Sequence, residues 1–159
     1  METTYYVSPI GTLAISGSSE GVRSILYADD KVSTGLVPDC LQECVIQLNE
    51  YFNGNRTVFN LVLDPVGTEF QKKVWAQLLT INFGETASYI DLANRVGNPK
   101  TVRAVGNANG QNKLNIVIPC HRVIGSDKSL IGYGGGIWRK EWLLKHEASM
   151  TQIGLFKNQ

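Results

Sequence analysis

The chain has 159 residues, enough for one ordinary domain or two small domains with a hydrophobic core. A composition of 43% hydrophobic and 18% charged residues is typical of a globular protein. No apolar run approaches the roughly 20 residues that span a bilayer, and the N-terminus lacks the basic start and apolar core of a signal peptide. We therefore expect no membrane association and a cytoplasmic location, or a nuclear one in a eukaryote.

The net charge of +1 hides a division of charge along the chain. Residues 1–65 hold three Lys and Arg against eight Asp and Glu, whereas residues 66–159 hold twelve against six. Such a division predicts that the second half contacts a polyanion. Two solvated faces of different charge are the alternative.

The cysteines argue against a disulfide framework, because there are three of them and no secretory signal. A structural zinc site needs four ligands, and His121 and His146 are the only histidines that could join the closely spaced pair Cys40 and Cys44. We therefore predict no metal site and expect Cys40 and Cys44 to pack on one face of a helix.

The first elements in chain order predict a small antiparallel meander followed by a helix. Runs rich in Tyr, Val, Thr and Ile within residues 3–28 are separated by the turn segments "PIG" and "GSSEG". An amphipathic helix that ends at Gly54 follows, and "TVFNLVL" (57–63) predicts one more strand. "DPVGT" then breaks the pattern and places a domain boundary after residue 65. The helical face consists of Leu41, Cys44, Val45, Leu48 and Phe52.

The second half predicts a helical domain over residues 66–150. Thr68 and Gln71 form a capping sequence before a helix with Phe70, Val74, Leu78 and Ile81 on one face. Next, a short helix ends at Gly97, "NPK" turns, and a second helix begins near Thr101, which is the helix-turn-helix pattern. A strand "LNIVIP" (114–119), a glycine loop "IGYGGGI", a helix "WRKEWLLKHEAS" and a loose tail over 151–159 complete the chain. The element order predicts an α+β fold.

The segment "PCHRV" (119–123) carries the first candidate chemistry. Pro119 cannot donate to a ladder, so the strand is expected to stop there and to present Cys120 at its end. A neighbouring imidazole and a nearby cation favour the thiolate, which is the nucleophilic form of cysteine. His121 is the candidate base, directly or through a water.

A histidine base is usually held by a carboxylate, and Glu147 at the end of the last helix is the candidate. The pattern thus predicts a Cys120–His121–Glu147 relay. The alternative is that Cys120 is a small buried hydrophobic residue and Glu147 a solvated helix end. Arg122 is either a structural ion-pair partner or a positive charge near the thiolate.

The blocks "IPCHRVIG", "GYGGG" and "RKEWLLKHE", preceded by "FGETASYIDLANRVGNPKTVRAVGNANGQN", closely resemble the methylated-DNA-protein-cysteine methyltransferases, which repair O6-alkylguanine. The resemblance runs from about residue 48 to residue 147. It implies a ribonuclease H-like N-terminal domain and a C-terminal winged helix-turn-helix domain that carries the active site. It also implies suicide transfer of the alkyl group without a cofactor, acting on double-stranded DNA that contains O6-alkylguanine.

The resemblance assigns roles to residues of the active site. It makes Cys120 the alkyl acceptor, His121 a base that acts through a bridging water, and Glu147 the group that orients the histidine. It places Tyr133 near the guanine O6, where a hydroxyl stabilises the departing purine. It uses Asn112 to tie the helix to the active-site strand.

The resemblance also assigns DNA-binding residues. It implies that the second helix, which begins at Thr101 and Val102, enters the minor groove, that Arg103 fills the space left by a flipped nucleotide, and that Tyr89 crowds the target phosphate. Without the resemblance, Arg103 is a plain phosphate contact and Tyr89 a core aromatic. A departure is Lys113, which stands where relatives commonly have proline.

Three functions follow as hypotheses. The first is a stoichiometric alkyltransferase that acts on O6-methylguanine, with O4-methylthymine as a further candidate substrate. The second is a winged-helix protein that binds DNA lesions without alkyl transfer. The third is a Cys-His hydrolase, which the lack of an evident oxyanion arrangement disfavours. We expect a monomer without an obligate protein partner, with cooperative binding on DNA left open.

Overall fold

The structure is a computed structural model that describes residues 1–33 and 35–157, with side chains described as far as Thr151 in the last helix. The fold is α+β, as expected. Two compact units divide the chain: residues 1–66 with 113–117, and residues 67–112 with the chain from residue 118 onward.

The first unit contains a three-stranded antiparallel sheet in the order β1 (Glu2–Ser8), β2 (Gly11–Ser18), β3 (Gly21–Tyr27). The register pairs Ile15 with Ile25, and both side chains are fully buried. The predicted meander is therefore confirmed, because alternating apolar residues place one face of the sheet in the core.

Helix α1 (Gln42–Phe52) follows a 3-10 turn at Asp39–Leu41. The predicted face is buried at Leu41, Cys44, Leu48 and Phe52, and Tyr51 joins it. Gly54 ends the segment with φ of +80°. The expectation that Cys40 shares this face is wrong, because Cys40 lies in the 3-10 turn and is exposed.

The strand predicted at residues 57–63 does not form. Only Leu63 makes a bridge, to Val22. The side chain of Gln47 occupies both backbone groups of Asn60: its Nε2 donates to the Asn60 carbonyl at 3.0 Å, and its Oε1 accepts from the Asn60 N–H at 2.8 Å. A side chain thus satisfies the groups that a ladder would have used.

The second unit begins with α2 (Glu69–Leu78), whose N-terminus has the predicted capping box between Thr68 and Gln71. Trp75 on this helix is buried and donates its indole N–H to the Ala108 carbonyl at 2.9 Å. Val74, Leu78 and Ile81 are buried as predicted, whereas Phe70 is 37% exposed.

The helix-turn-helix is present. Helix α3 (Tyr89–Val96) is capped by Ser88 and ends at Gly97, a 3-10 turn spans Pro99–Thr101, and α4 (Val102–Gly110) follows. Gly97 has φ of +121°, which favours glycine at this helix end.

The strand predicted at residues 114–119 is also absent. Leu114 bridges to Ile25, and the chain then turns through Ile116, whose φ is +75°. The Asn115 amide donates to the Ile25 carbonyl at 2.9 Å, and the Val117 N–H donates to the Asn115 carbonyl at 2.9 Å. These bonds replace a ladder and hold a buried turn, so the apolar run is core but not strand.

The last elements are a two-residue parallel pair and a long helix. β4 (Ala87–Ser88) pairs with β5 (Val123–Ile124), and α5 spans Ile137–Lys157. The backbone of residues 151–157 thus continues the helix where a tail was expected, since no proline follows to end it, and residues 158–159 lie outside the described residues. None of the helices described is both long and apolar enough to cross a membrane.

Candidate active site

Cys120 opens a 3-10 turn, Cys120–Arg122, directly after Pro119. The Cys120 N–H donates to the Ile118 carbonyl at 2.8 Å, and the Arg122 N–H donates to the Pro119 carbonyl at 3.0 Å. This tight turn brings the three consecutive side chains Cys120, His121 and Arg122 into the interior of the unit, where all are buried. A continuing strand would have pointed alternate side chains to opposite faces.

His121 is fully buried and bonded to Glu147. Its Nε2 lies 2.8 Å from Glu147 Oε2. An ionised carboxylate can only accept, so Nε2 carries a proton, and whenever the ring is neutral its lone pair is on Nδ1. Nδ1 is buried and has no hydrogen-bond partner among the described residues. It is therefore the ring nitrogen able to take up a proton.

Arg122 is an ion-pair partner of Glu147. The guanidinium donates from Nε to Oε1 at 2.8 Å and from Nη2 to Oε2 at 3.1 Å, and Nη1 donates to the Ile81 carbonyl at 2.7 Å. Burial raises the pKa of Glu147, but the charges and hydrogen bonds of His121 and Arg122 outweigh it and hold this pKa well below its usual range. The fork geometry also fixes the carboxylate toward the imidazole.

Asn112 joins the end of α4 to the residues before the thiol. Its amide donates to the Ile118 carbonyl at 2.9 Å, and its side chain also hydrogen-bonds Cys120. Both residues are buried. The amide therefore contacts the reactive turn directly.

The thiol itself departs from the expectation that its neighbours favour the thiolate. Burial raises the pKa of Cys120, and this effect dominates. The hydrogen bond from Asn112 and the charge of Lys140 oppose it. Arg122 was expected to be a possible cation near the thiolate, but its guanidinium is committed to Glu147.

The sequence pattern did not indicate that Lys140 is buried. A lysine in a charged segment is usually exposed to solvent. The side chain of Lys140 is nevertheless fully buried, and its Nζ donates to the Ile131 carbonyl at 2.8 Å. The helical spacing contained the signal, because Lys140, Leu143 and Glu147 stand at i, i+3 and i+7 on α5 and all three are buried.

Tyr89, like Lys140, hydrogen-bonds the backbone carbonyl of Ile131. Its hydroxyl donates to Ile131 at 3.0 Å. Burial, and then the negative charge of Cys120, raise the pKa of Tyr89. The space around it depends on glycine, because a Cβ on Gly132 (φ +66°) would stand 3.3 Å from the tyrosine oxygen.

The other predicted residues occupy two places. Tyr133 is half-buried in the glycine loop, where its carbonyl accepts from the Gly136 N–H at 2.9 Å. Thr101, Val102 and Arg103 mark the start of α4, and Arg103 is exposed, unlike the buried side chains around Cys120.

No group of three or more His, Cys, Asp and Glu side chains in the part of the chain that the structure describes could hold a metal ion.

Two protein-family descriptions match the chain in succession. Residues 1–65 match the ribonuclease-like domain of 6-O-methylguanine DNA methyltransferase, and residues 69–149 match the DNA-binding domain of the same enzyme.

Similar proteins cover almost the whole chain. A methylated-DNA–protein-cysteine methyltransferase of Mycobacterium leprae is 45% identical over 157 residues, which is 94% of each chain. The crystal structure of the Mycobacterium tuberculosis O6-methylguanine methyltransferase superposes with a TM-score of 0.83 at 44% identity, covering 94% of this chain and 93% of the other. The structure of Mycobacterium tuberculosis OGT in complex with DNA gives a TM-score of 0.86 at 44% identity, covering 94% of each chain.

Proposed function

Because the chain belongs to the 6-O-methylguanine DNA methyltransferase family, we propose that it repairs DNA by moving the alkyl group of O6-alkylguanine onto Cys120. The observation that carries this proposal is the 2.8 Å bond between His121 and Glu147 in the turn that holds the thiol. This bond leaves His121 Nδ1 able to accept a proton.

The transfer balances without a cofactor. His121 takes the proton of the Cys120 thiol, directly or through one water, while Glu147 stabilises the resulting imidazolium. The thiolate attacks the methyl carbon, so that a sulfur–carbon bond forms as the bond between that carbon and guanine O6 breaks. The guanine keeps the electron pair of that bond and takes up one proton, which balances the proton lost by the thiol.

The reaction ends with the protein alkylated. The product is a thioether, which water does not hydrolyse, so each chain acts once. No carbonyl is attacked, and the site therefore needs a donor to the departing purine instead of an oxyanion hole. Tyr133 in the glycine loop is our candidate for that donor, and Asn112 positions the turn that carries the thiol.

The helix-turn-helix supplies the DNA contacts in this proposal. A thiol buried in the protein cannot reach a base inside a duplex, so the nucleotide must be flipped out at a cost of roughly a few kcal/mol. The exposed Arg103 fills the vacated space, Thr101 and Val102 start the helix that enters the minor groove, and Tyr89 crowds the target phosphate. The excess of basic residues beyond residue 65 supports binding to a polyanion.

The remaining parts of the proposal concern organisation. We assign DNA binding and alkyl acceptance to a domain over residues 66–150 and leave residues 1–65 as a separate N-terminal domain. The protein acts inside the cell as a monomer without an obligate protein partner. A titration of DNA with the protein measures whether several copies bind cooperatively.

A mass measurement tests the proposal. The protein is incubated with a duplex that contains one O6-methylguanine, and the tryptic peptide that holds Cys120 is weighed. We expect the mass of one added methyl group on that peptide and restoration of guanine in the DNA, with product equal to the protein supplied.

The matched controls are the same duplex with unmodified guanine and the Cys120→Ala variant with the methylated duplex. Neither should yield a methylated peptide. Binding to the methylated duplex with no methyl transfer by the wild-type protein would favour the lesion-binding alternative and overturn the proposal.

A further inference from the structure

The glycine loop "IGYGGGI" (131–137) contains few side chains that could hold it in place. Four of its seven residues are glycines, and Tyr133 stands between them. Glycine loses more conformational freedom on folding than any other residue, and it has no side chain to pack against a neighbour. The placement of Tyr133 therefore depends on the contacts that fix the two ends of the loop.

Lys140 on α5 contacts both ends of the glycine loop. Its side-chain Nζ donates to the Ile131 carbonyl at 2.8 Å, and its backbone N–H donates to the Gly136 carbonyl at 3.3 Å. Because both bonds come from one residue near the start of a helix, they fix the ends of the loop relative to each other and to α5.

The charge of Lys140 strengthens the bond to Ile131. The Lys140 side chain is fully buried, and an ammonium removed from water needs an acceptor. Within the described part of the chain, that acceptor is the Ile131 carbonyl. A hydrogen bond from a charged donor is roughly twice as strong as one between neutral groups. Burial and charge thus hold this end of the loop firmly.

Two further side chains from outside the loop support the same ends. The Tyr89 hydroxyl donates to the Ile131 carbonyl at 3.0 Å, so this oxygen accepts two hydrogen bonds. At the other end, Nη1 of Arg139 donates to the Gly135 carbonyl at 3.1 Å. Gly132 has φ of +66°, and a Cβ there would stand 3.3 Å from the Tyr89 oxygen, so glycine permits the close approach of the loop to Tyr89.

We propose that Lys140 positions Tyr133 for the transfer step by holding both ends of the glycine loop. This inference rests on the proposed function and adds a positioning residue to it. In this proposal Lys140 contacts neither the purine nor the thiol, and the Tyr133 hydroxyl is the group that meets the departing guanine. Without the bond to Ile131 the loop moves more freely, and the hydroxyl spends less time at the position of the guanine O6.

The placement of Tyr133 is tested in the DNA-free protein by fluorine NMR of chains that contain fluorotyrosine. The chain has six tyrosines, and the resonance that disappears in Tyr133→Phe belongs to Tyr133. Lys140→Met removes the bond to Ile131, so the Tyr133 resonance should shift or broaden. The tyrosines of the first unit should keep their resonances and serve as internal references; they are Tyr5, Tyr6, Tyr27 and Tyr51.

The role in transfer is tested by the rate of methyl transfer from the methylated duplex in a single turnover with protein in excess. The rate at saturation reports the steps after binding, and the half-saturating protein concentration reports DNA binding. A misplacement of about 1 Å can cost about 100-fold in rate, so Lys140→Met should lower the saturated rate by about 10- to 100-fold. The half-saturating concentration should stay within about twofold, because Lys140 acts after binding.

A double variant separates positioning from a general structural effect. In the Tyr133→Phe background the hydroxyl is absent, so Lys140→Met should lower the saturated rate further by no more than about twofold. Lys145→Met removes an exposed lysine from the same helix and is the matched control, which should change neither the tyrosine resonances nor the rate. Melting temperatures establish that each variant is folded. If Lys140→Met does not fold, Lys140→Gln replaces it, because its shorter side chain does not extend as far toward Ile131.

An unchanged Tyr133 resonance or an unchanged saturated rate in the folded variant overturns the proposal. An equal loss of rate with and without the Tyr133 hydroxyl also overturns it, because Lys140 would then act independently of Tyr133. Failure of both Lys140 variants to fold makes Lys140 a requirement of the fold and overturns the proposal as well. If the resonance moves as expected but the wild-type protein takes no methyl group from DNA, the proposed function fails, and the anchoring of the loop by Lys140 stands.

Discussion

Cys44 and Cys120 are both buried thiols, one in each unit, and their surroundings differ. Cys44 lies on the apolar face of α1, where burial alone raises its pKa to about 12. Burial also raises the pKa of Cys120, but the Asn112 hydrogen bond and the Lys140 charge oppose it. Burial by itself therefore produces an inert thiol, and fixed polar neighbours are what a buried nucleophile needs.

The buried polar side chains in α1 and around Cys120 also differ, in their charge and in the groups that they hold in place. In α1, Gln47 is neutral and its amide bonds Glu43 and Asn60. Around Cys120, the buried Glu147 carries charge and is shared between His121 and Arg122. The first arrangement stabilises a loop, whereas the second also holds a base in position.

The largest predicted difference is in methyl transfer. Cys120→Ala should abolish transfer from O6-methylguanine, because Cys120 is the thiol that directly precedes the candidate base His121. Cys44→Ala should retain full transfer, since the pKa of Cys44 near 12 leaves almost no thiolate at neutral pH. The measurement is methyl incorporation per protein chain. Transfer by Cys120→Ala, or its loss in Cys44→Ala, would reverse the assignment of the two thiols.

The next difference is in stability. Glu147→Ala leaves the Arg122 guanidinium buried and unpaired, and the loss of one partner from such a pair costs about 3 to 5 kcal/mol. Gln47→Ala leaves only neutral groups unsatisfied, which costs about 1 to 3 kcal/mol. Urea unfolding measures both. Glu141→Gln on the exposed side of α5 is the matched control and should change stability by about 0.5 kcal/mol or less.

Lowering the pH should remove part of the stability that the ionised Glu147 contributes. The folded pKa of Glu147 lies below its unfolded value, so its ionisation stabilises the fold at neutral pH, and this contribution is lost as the pH falls below about 4.3. Urea midpoints from pH 7 to pH 3 should decline more steeply for the wild-type protein than for Glu147→Gln. Parallel declines would mean that Glu147 is not held ionised by its partners.

Local sequence signals predicted much of this fold. The capping pair Thr68 and Gln71 and the apolar spacing on α1 depend on neighbours within one or two turns, and the structure confirms both. The strand expected at 57–63 is absent where the distant Gln47 side chain bonds both backbone groups of Asn60, and the one expected at 114–119 gives way to a turn whose Asn115 side chain bonds the Ile25 carbonyl. Such long-range side-chain bonds leave no periodic pattern in the sequence.

In the candidate site too, local sequence patterns indicated some residues, whereas others became evident only from the tertiary structure. The sequence indicated Cys120, His121 and Glu147, because a thiol, an imidazole and a carboxylate at a helix end are recognisable chemistry. The sequence did not indicate Lys140, because a lysine among charged residues is expected to be exposed to solvent. Only the tertiary structure shows that it is buried. The pairing of Arg122 with Glu147 likewise depends on how α5 packs against the turn of Cys120–Arg122.

The smallest predicted effect concerns the repaired state. A methyl group on Cys120 adds volume at a side chain that is only 5% exposed, and overpacking of this kind costs about 1 to 3 kcal/mol. The melting temperature should therefore fall after incubation with the methylated duplex and separation from DNA, but not after incubation with unmodified duplex. The Cys120→Ala variant controls for residual DNA, because it cannot be alkylated there. An unchanged melting temperature in fully methylated protein would mean that the pocket accepts the group without strain, which a site open toward a flipped base would allow.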